Sequence, residues 1–297
     1  MVFLALLPII WLVIGLGFLK MPGYKACPIA VVIASIVAVF AFDMPTLDTG
    51  TAALEGVALA IWPILLVIVA AIFAYNLTVY TKSMDVLKQM LTTVSKDSRI
   101  LALLIGWGFG AFMEGMAGFG TAVAIPASIL VGLGFNPIRA ILACLIANTV
   151  PTTFGSIGIP TTTLASLTEL DPVRLATYIT TQLGLLDILC PFLMVIVIGG
   201  SVRALKGVFF VTLLSGLALF IPEYIISSVL GPELAVMVPS IIIMGVIVAY
   251  AKLFKTDDPD YALDIQPQSV SAGAGIRAAM IFILIFIFLI ITSKLVP

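Results

Sequence analysis

Histidine is absent from this chain of 297 residues, and charged side chains are scarce. Without histidine, imidazole bases and ordinary histidine metal sites are excluded. The sequence also lacks the Gly-x-Gly-Asp motif of membrane-embedded hydrolases. Charged residues make up 10% of the chain, against about 25% in soluble domains. The net charge of −1 offers no basic surface for nucleic acid. We therefore predict no enzyme activity, no cofactor, no metal and no nucleic-acid partner.

Cysteine is also rare, and its three positions do not pair in sequence. Cys27, Cys144 and Cys190 lie in separate apolar segments without a Cys-x-x-Cys spacing, which favours small core residues over disulfides or metal ligands. Apolar side chains are abundant instead, since 62% of the residues are hydrophobic and the mean hydropathy is +1.27. Apolar runs near the roughly 20 residues that cross a bilayer recur along the chain. This pattern predicts an all-α, multi-pass membrane protein in contact with lipid.

The apolar segments and the basic residues between them predict the orientation of the chain. The segments are about 2–19, 27–42, 56–77, 100–113, 121–135, 140–167 (broken), 175–200, 207–226, 234–251 and 276–293. With the N-terminus outside, all of the 14 basic residues except Arg174 and Lys294 fall in inside loops. The positive-inside rule expects such a bias. On this threading six acidic residues are assigned to outside loops, namely Asp43, Asp48, Glu169, Asp171, Glu223 and Glu233.

The threading requires an even number of passes between Arg99 and Arg139. The two apolar pieces in this region are about thirteen residues each, or roughly 20 Å as helix, which is short for a hydrocarbon core of about 30 Å. We therefore predict a re-entrant helical hairpin over about 100–135, with its tip, Glu114–Gly120, near mid-membrane. Two very short full spans satisfy the same parity and are the alternative. The whole chain then has about eight full spans, one hairpin and one broken helix.

Six glycines occur within the fifteen residues from Gly106 to Gly120, around one carboxylate, Glu114. Irregular backbone at membrane depth is tolerated only where protein or a watery cavity covers it, so Glu114 should face a site. A charge at the centre of a membrane helix costs about 2.5–3.5 kcal/mol, and no basic residue lies near Glu114 in sequence, so burial favours its neutral form. We predict that Glu114 is a proton carrier, with a structural hydrogen bond as the alternative. For Gly106–Gly110 we favour close helix packing, and for Gly115, Gly118 and Gly120 a role in the site. Asp187, central in a later apolar segment, is a provisional second candidate.

A second break is predicted where the apolar helix reaches Asn148–Pro160. Pro151 and Pro160 remove backbone donors, and two glycines lower helix propensity, so the helix over about 140–167 should open. Secondary transporters place substrate and ion sites at paired discontinuous helices, whose open ends present backbone N–H and carbonyl groups. Side chains in this break that can bind a carboxylate or a substrate hydroxyl are Asn148, Thr149, Thr152, Thr153 and Ser156.

Several ordered motifs resemble the L-lactate permease family. They are Glu114-Gly-Met-Ala-Gly-Phe-Gly-Thr121, Leu130-Val-Gly-Leu-Gly-Phe-Asn-Pro137, and Leu145-Ile-Ala-Asn-Thr-Val-Pro151 with Phe154-Gly-Ser-Ile-Gly-Ile-Pro160. The resemblance implies a bacterial cytoplasmic-membrane symporter that takes up lactate, or the related 2-hydroxy acids glycolate and D-lactate, together with protons. The positions that match the family signature are Glu114, Gly118, Gly120, Thr121, Asn148, Thr149, Gly155 and Gly158. Asp187 is not among them.

The same resemblance implies membership of the ion-transporter superfamily, whose members have two inverted repeats, each with a hairpin and a broken helix. Family members are considerably longer, so we expect an N-terminal half, truncated or split. Its expected parts are a transport domain over 1–254, a cytosolic linker over 255–275 and the first span of a second half over 276–297. A second-half fragment or another copy of the chain is then an expected partner. Alternative functions are a sodium-coupled carboxylate carrier or a sodium/proton antiporter of this superfamily, and a passive channel or noncatalytic subunit.

Overall fold

The computed structural model describes residues 2–118, 120–254, 258–263 and 271–292. Helices dominate these ranges, and the β-type pairing among them is one isolated antiparallel bridge between Asp97 and Ala262. The predicted all-α architecture is therefore confirmed. By its internal contacts the chain divides into two units, 1–66 and 67–297.

The first unit consists of apolar helices separated by proline-containing turns. Its helices are α1 (Val2–Ala5), α2 (Leu7–Leu12), which continues as a π-helix over Val13–Phe18, α3 (Gly23–Ala41), and α4 (Thr46–Leu59), which continues as a π-helix over Ala60–Leu65. Pro22 and Pro45 are extended residues that precede α3 and α4, so the chain turns before each helix. The indole Nε1 of Trp11 donates to the Ala26 carbonyl at 3.0 Å, which ties α2 to α3.

The second unit begins within the first turn of α5 and contains the longest helices. They are α5 (Leu66–Tyr80), α6 (Ser83–Thr92), α7 (Ser98–Ala102), α8 (Gly110–Met116), α9 (Thr121–Gly132), α10 (Pro137–Ala147), α11 (Gly155–Thr168), α12 (Pro172–Gly199), α13 (Phe209–Val229), α14 (Met237–Leu253) and α15 (Ala272–Thr292). A π-helix, Leu103–Phe109, joins α7 to α8, and short 3-10 turns occupy Pro151–Phe154, Val202–Leu205 and Pro259–Tyr261. The hydrophobic core of this unit surrounds α7, the π-helix and α8.

Several helices are long and apolar enough to cross a membrane. Within the described ranges these are α3, the continuous segment Ser98–Met116, α12 and α13, and α10 with Pro151–Thr168 makes a fifth if that bent pair is one span. Other predicted spans coincide with shorter apolar helices, namely Phe3–Phe18, Met237–Leu253 and Gly273–Ile285. The multi-pass prediction is confirmed, whereas the count of about eight full spans stays a prediction.

The first arm of the hairpin is longer than the thirteen residues that the sequence indicated. It runs without interruption through 19 buried residues, Ser98–Met116. The helix begins early because the carboxylate of Asp97 accepts a hydrogen bond from the backbone N–H of Arg99 at 2.9 Å. An arm of this length can cross a bilayer, so the length argument for a re-entrant segment holds for the second arm, α9, and not for the first.

The glycines Gly106 and Gly108 do not interrupt this first arm. A Cβ on Gly106 would overlap the side chain of Met194, and one on Gly108 would lie 2.9 Å from Met244 Cγ. The glycines therefore let neighbouring helices approach the π-helix closely, which supports the predicted close packing for this part of the motif.

The two arms of the hairpin begin and end on the same side of the second unit. Arg99, at the start of the first arm, donates to the carbonyl groups of Ala204 and Lys206. Arg139, after the second arm, reaches the Ile198 carbonyl at 3.5 Å, six residues before Ala204. This placement agrees with an even number of passes between Arg99 and Arg139.

Two sequence assignments change with the structure. Glu223 is not in an outside loop, because α13 continues through Pro222 to Val229 and buries Glu223 completely. The predicted linker over 255–275 is described in part: residues 258–263 pack beside residues 96–99, and the last helix already begins at Ala272. Residues 255–257 and 264–270 of that prediction, and 293–297 of the predicted last span, lie outside the described residues.

Candidate functional site

The tip of the hairpin and the break in the second helix lie against each other. Ser156 Oγ donates to the carbonyl of Ala117 at 2.9 Å, and Thr152 Oγ1 donates to Glu114 Oε1 at 3.3 Å. A Cβ on Gly155 would overlap Glu114 Oε1, so backbone of the break touches the carboxylate directly. Two discontinuous segments about forty positions apart in sequence thus form one cluster around Glu114, which we name the break junction.

The tip itself depends on glycine. Gly118 and Gly120 have φ angles of +55° and +87°, in the left-handed region that other residues rarely adopt. A Cβ on Gly118 would also overlap Ser156 Oγ and lie 3.3 Å from Glu114 Oε1. Both the sharp turn and the close approach of Ser156 therefore require the absence of a side chain at Gly118.

The second helix opens where the prolines and glycines predicted. α10 ends at Ala147, a 3-10 turn follows over Pro151–Phe154, and the two halves are bent by 56°. Ser156, Ile157 and Gly158 then take φ angles of +48°, +63° and +72°. Such angles are costly for non-glycine residues, by about 1–3 kcal/mol each, and strained backbone of this kind is concentrated at functional sites.

Specific contacts hold the strained segment in place. Thr161 Oγ1 donates back across the break to the Thr153 carbonyl at 2.9 Å. On the far side, Gly158 packs against the chain that follows α13, where a Cβ would lie 2.6 Å from the Pro232 carbonyl oxygen. The break is thus a fixed structural feature that is supported from both sides.

Glu114 is buried in the junction without a cation. Its side chain is 3% exposed, and it accepts hydrogen bonds from Thr152 and from the Asn148 side chain. The ion pairs found among the described residues join Arg99 to Asp97 and Asp258 and do not reach Glu114. Within the described ranges, Glu114 Oε2 and Asn148 Oδ1 are buried and have no hydrogen-bond partner. Two polar atoms of the same cluster are therefore available to a ligand.

The structure sorts the predicted site residues into two groups. Those brought together at the junction are Glu114, Gly118, Asn148, Thr152, Gly155 and Ser156. The others have different contacts. Thr149 is exposed and donates to the Leu145 carbonyl of α10, the helix that precedes it. Thr153 accepts a hydrogen bond from Thr161 through its carbonyl, and Gly158 packs on Pro232. Gly120 is exposed and lines an apolar groove along α9, and the side chain of Thr121 lies outside what the structure describes.

Asp187 lies in α12, and the neighbouring helix α13 carries a carboxylate that the sequence assigned to a loop. That carboxylate is Glu223, and both side chains are fully buried. Thr180 Oγ1 lies 3.4 Å from Glu223 Oε1 and 3.3 Å from Ser227 Oγ. The sequence contains a signal that could have placed Glu223 in a helix. Glu223 and Ser227 are four positions apart, so they share one face if the apolar helix continues through both.

Comparison with known proteins places the chain in a family. The model of the L-lactate permease family matches residues 1–297. An L-lactate permease from Streptococcus iniae is 43% identical over 296 residues, which is 99% of this chain and 61% of that protein. The glycolate permease GlcA of Escherichia coli (strain K12) is 35% identical over 270 residues, covering 91% and 48%. An L-lactate permease of Bacillus subtilis (strain 168) is 38% identical over 251 residues, covering 84% and 44%.

The chain spans about half the length of the curated relatives it matches, between 44% and 61% for these three. No solved structure matches it.

Proposed function

Because this chain belongs to the L-lactate permease family, we propose that it carries a small 2-hydroxy monocarboxylate across the cell membrane together with protons. The substrate we propose is L-lactate, or the related glycolate or D-lactate, since the relatives are named for L-lactate and glycolate. Membership of a permease family, with helices long enough to cross a bilayer, makes the chain a membrane protein and not an enzyme.

The observation that carries the proposal is the pair of unpartnered buried atoms at the break junction, Glu114 Oε2 and Asn148 Oδ1. A 2-hydroxy acid presents a carboxylate, which accepts hydrogen bonds, and a hydroxyl, which can donate one. A protonated Glu114 supplies a donor for the carboxylate, and Asn148 Oδ1 supplies an acceptor for the hydroxyl. The two atoms therefore match the two functional groups of the substrate class.

Coupling to protons follows from the same contacts. An ionised Glu114 repels a substrate carboxylate, and with no cation beside it the repulsion is unscreened by protein charge. Proton binding removes the repulsion and creates the donor, so each ligand raises the affinity for the other. The movement of one lactate anion with one proton transfers no net charge. The pH gradient then supplies a free energy for accumulation of about 1.36 kcal/mol per pH unit. The membrane potential contributes little.

The other junction residues have supporting roles in this proposal. Thr152 orients the carboxyl of Glu114 through its hydrogen bond, and Gly118 and Gly155 keep the space beside that carboxyl free of side chains. Ser156 fixes the hairpin tip against the break. Gly120, Thr121, Thr149, Thr153 and Gly158 shape the two discontinuous segments.

Uptake of labelled L-lactate into membrane vesicles tests the proposal. Because the chain spans 61% of the Streptococcus iniae relative, the assay includes vesicles with the chain alone and vesicles in which it is co-produced with the remaining part of that relative. We expect accumulation that follows an inwardly directed proton gradient in at least one preparation. Accumulation that follows a sodium gradient at constant pH, or equilibration that neither gradient drives, contradicts proton symport.

A further inference from the structure

We propose that Asp187 and Glu223 form a second proton-binding site, between α12 and α13, in which the two carboxyl groups hold an exchangeable proton between them. This site is separate from Glu114, and its test does not depend on transport.

The first support is complete burial with, among the described residues, one hydrogen-bond donor for the two carboxyl groups, the hydroxyl of Thr180. Both side chains have a relative exposure of 0%. Among the described residues, both oxygens of Asp187 and Oε2 of Glu223 have no hydrogen-bond partner, and the hydroxyl of Thr180 is a long 3.4 Å from Glu223 Oε1. An ionised carboxylate that loses water and gains no donor is strongly unfavourable.

The second support is the close approach of the two helices that carry these acids. Gly216 of α13 faces α12, where a Cβ would lie 3.0 Å from the carbonyl oxygen of Asp187 and 2.9 Å from Ile188 Cα. This contact brings the backbones together beside Asp187 and seven residues, or about two turns, from Glu223. Two negative charges between packed helices in an apolar interior repel each other, so at most one is ionised without a counter-ion.

Among the described residues, no basic side chain is placed to neutralise the pair. On α12 itself, Arg174 is exposed and thirteen residues from Asp187. The basic residues on the elements that pack against α12 and α13 are Arg99, Arg139, Arg203 and Lys252. Arg99 binds Asp97 and Asp258, and Arg139 reaches Ile198, which is eleven residues from Asp187 or roughly 16 Å along a helix. Arg203 and Lys252 are exposed.

The remaining titratable groups near the pair are weak candidates for its counter-charge. Cys190, which follows Asp187 on the same helix, and Cys144 of α10 are buried thiols, and Tyr250 of α14 stacks on Phe254. Across the described ranges, no group of three or more Cys, Asp or Glu side chains is placed to hold a metal ion. A proton is therefore the cation that the geometry fits.

Two buried hydroxyl groups extend from the pair toward one end of the helices. Thr180 Oγ1 lies within 3.3 Å of Ser227 Oγ as well as beside Glu223, so the hydroxyls extend from the carboxyls toward the start of α12. The count of basic residues puts this end of α12 outside. The hydroxyl groups can relay a proton in that direction, since each can both donate and accept.

Infrared spectroscopy of the purified chain tests this site directly, because a protonated carboxyl group has a C=O stretching band that shifts in heavy water. Glu114→Gln removes the other buried carboxyl that has no ion-pair partner among the described residues, and it serves as the background; Asp97 is also buried but is paired with Arg99. In that background we expect a protonated-carboxyl band that titrates with pH and disappears in the double variant Asp187→Asn with Glu223→Gln. Each single variant should remove or shift the band, since the proton is shared.

Two outcomes contradict the proposal. The first is a band that is the same in the Glu114→Gln background with and without the two further substitutions, because other groups then produce it. The second is loss of the band when sodium is added at constant pH, because the site then binds a metal cation. Size-exclusion profiles and thermal unfolding verify that each variant is folded, and if the double variant does not assemble, the two single variants give the same decision.

Discussion

Glu114 is buried, and among the described residues no cation lies beside its carboxyl and one of its oxygens has no hydrogen-bond partner. Its other oxygen is held by Thr152, so the carboxyl is positioned and still able to bind. The residue is therefore suited to change its protonation state while the surrounding contacts stay in place.

Replacement of Glu114 by glutamine should separate proton coupling from folding. The amide keeps an acceptor for Thr152 but cannot titrate, so Glu114→Gln should insert normally and lose accumulation driven by pH, which in the parent is about tenfold per pH unit. The measurement is uptake of labelled L-lactate with and without an imposed pH gradient. Glu55→Gln, at an exposed position, is the control and should behave as the parent does. Equal pH-driven accumulation in both variants contradicts the assignment of Glu114.

Gly155 offers a steric test of the same junction. Its φ of −62° and ψ of 157° suit any residue, so Gly155→Ala should act through the overlap of the new Cβ with Glu114 Oε1 and not through backbone strain. We expect a loss of about 1–3 kcal/mol in stability, as for other overpacked interiors, measured by thermal unfolding of the purified protein. Gly245→Ala, in a helix and with no atom within 4 Å of its Cβ, should be neutral or slightly stabilising. Equal behaviour of the two variants contradicts the packing seen at Gly155.

At the scale of single residues, a buried carboxylate could be predicted only where the sequence around it is distinctive. Glu114 is visible because glycines and an apolar run surround it. Glu223 was assigned to an outside loop, although it lies near the end of the apolar segment 207–226. The surrounding helices keep α13 continuous through Pro222, and that tertiary effect cannot be deduced from the local sequence.

At the scale of helices and breaks, the position of the second break could be predicted and its shape could not. Pro151, Pro160 and the glycines predicted an opening between Asn148 and Pro160, and the structure bends there by 56°. The left-handed run from Ser156 to Gly158 contains two non-glycine residues. Local propensity argues against such a run, so it depends on contacts with Ala117, Thr153 and Pro232 that are distant in sequence.

The first arm of the hairpin agrees with its sequence at this scale. Its glycines predicted close helix packing, and glycine destabilises a helix by only about 1 kcal/mol. Packing against Met194 and Met244 offsets that cost, and the helix continues as a π-helix through Leu103–Phe109. Whether a glycine breaks a helix or lets a neighbour approach depends on the neighbour, which one sequence does not specify.

The hydrogen bond from Thr161 to the Thr153 carbonyl should be the main local stabiliser of the broken helix. Thr161→Val keeps the shape of the side chain and removes the only donor that this side chain offers, so we expect a loss of about 1–3 kcal/mol in thermal unfolding. Thr161→Ser should recover most of that stability. Thr177→Val is the control, because Thr177 donates to Val173 within its own helix, and it should cost less. A larger effect of Thr177→Val contradicts this role for Thr161.

At the scale of the second unit, charged residues from several loops meet at one end. Arg99 binds Asp97 through two hydrogen bonds of 3.0 and 2.7 Å, lies 4.0 Å from the ring centre of Tyr261, and donates to carbonyl groups at Ala204 and Lys206. Burial of Arg99 among these partners joins three loops that are far apart in sequence. The basic-residue count predicted that these loops share a side of the membrane, although it could not predict their contacts.

The orientation of the chain can be tested at described positions on the two predicted sides. We expect Thr168→Cys, at the end of α11, to react with a membrane-impermeant maleimide in intact cells, since twelve of the 14 basic residues fall in the opposite set of loops. Asp260→Cys, beside the Arg99 cluster, should react only after the cells are permeabilised. The experiment uses a background in which the native cysteines are replaced by alanine, because Cys27 is exposed.

Val202→Cys provides the matched control for Asp260→Cys, because Val202 is 68% exposed and lies in a different loop at the same end of the second unit. The shared contacts of Arg99 with residues 204, 206, 258 and 261 place both loops on one side. The two cysteines should therefore respond alike whichever way the chain is threaded, so the control checks the fold and Thr168→Cys checks the direction. Strong labelling of Asp260→Cys and Val202→Cys in intact cells, with protection of Thr168→Cys, would reverse the orientation while leaving the fold intact.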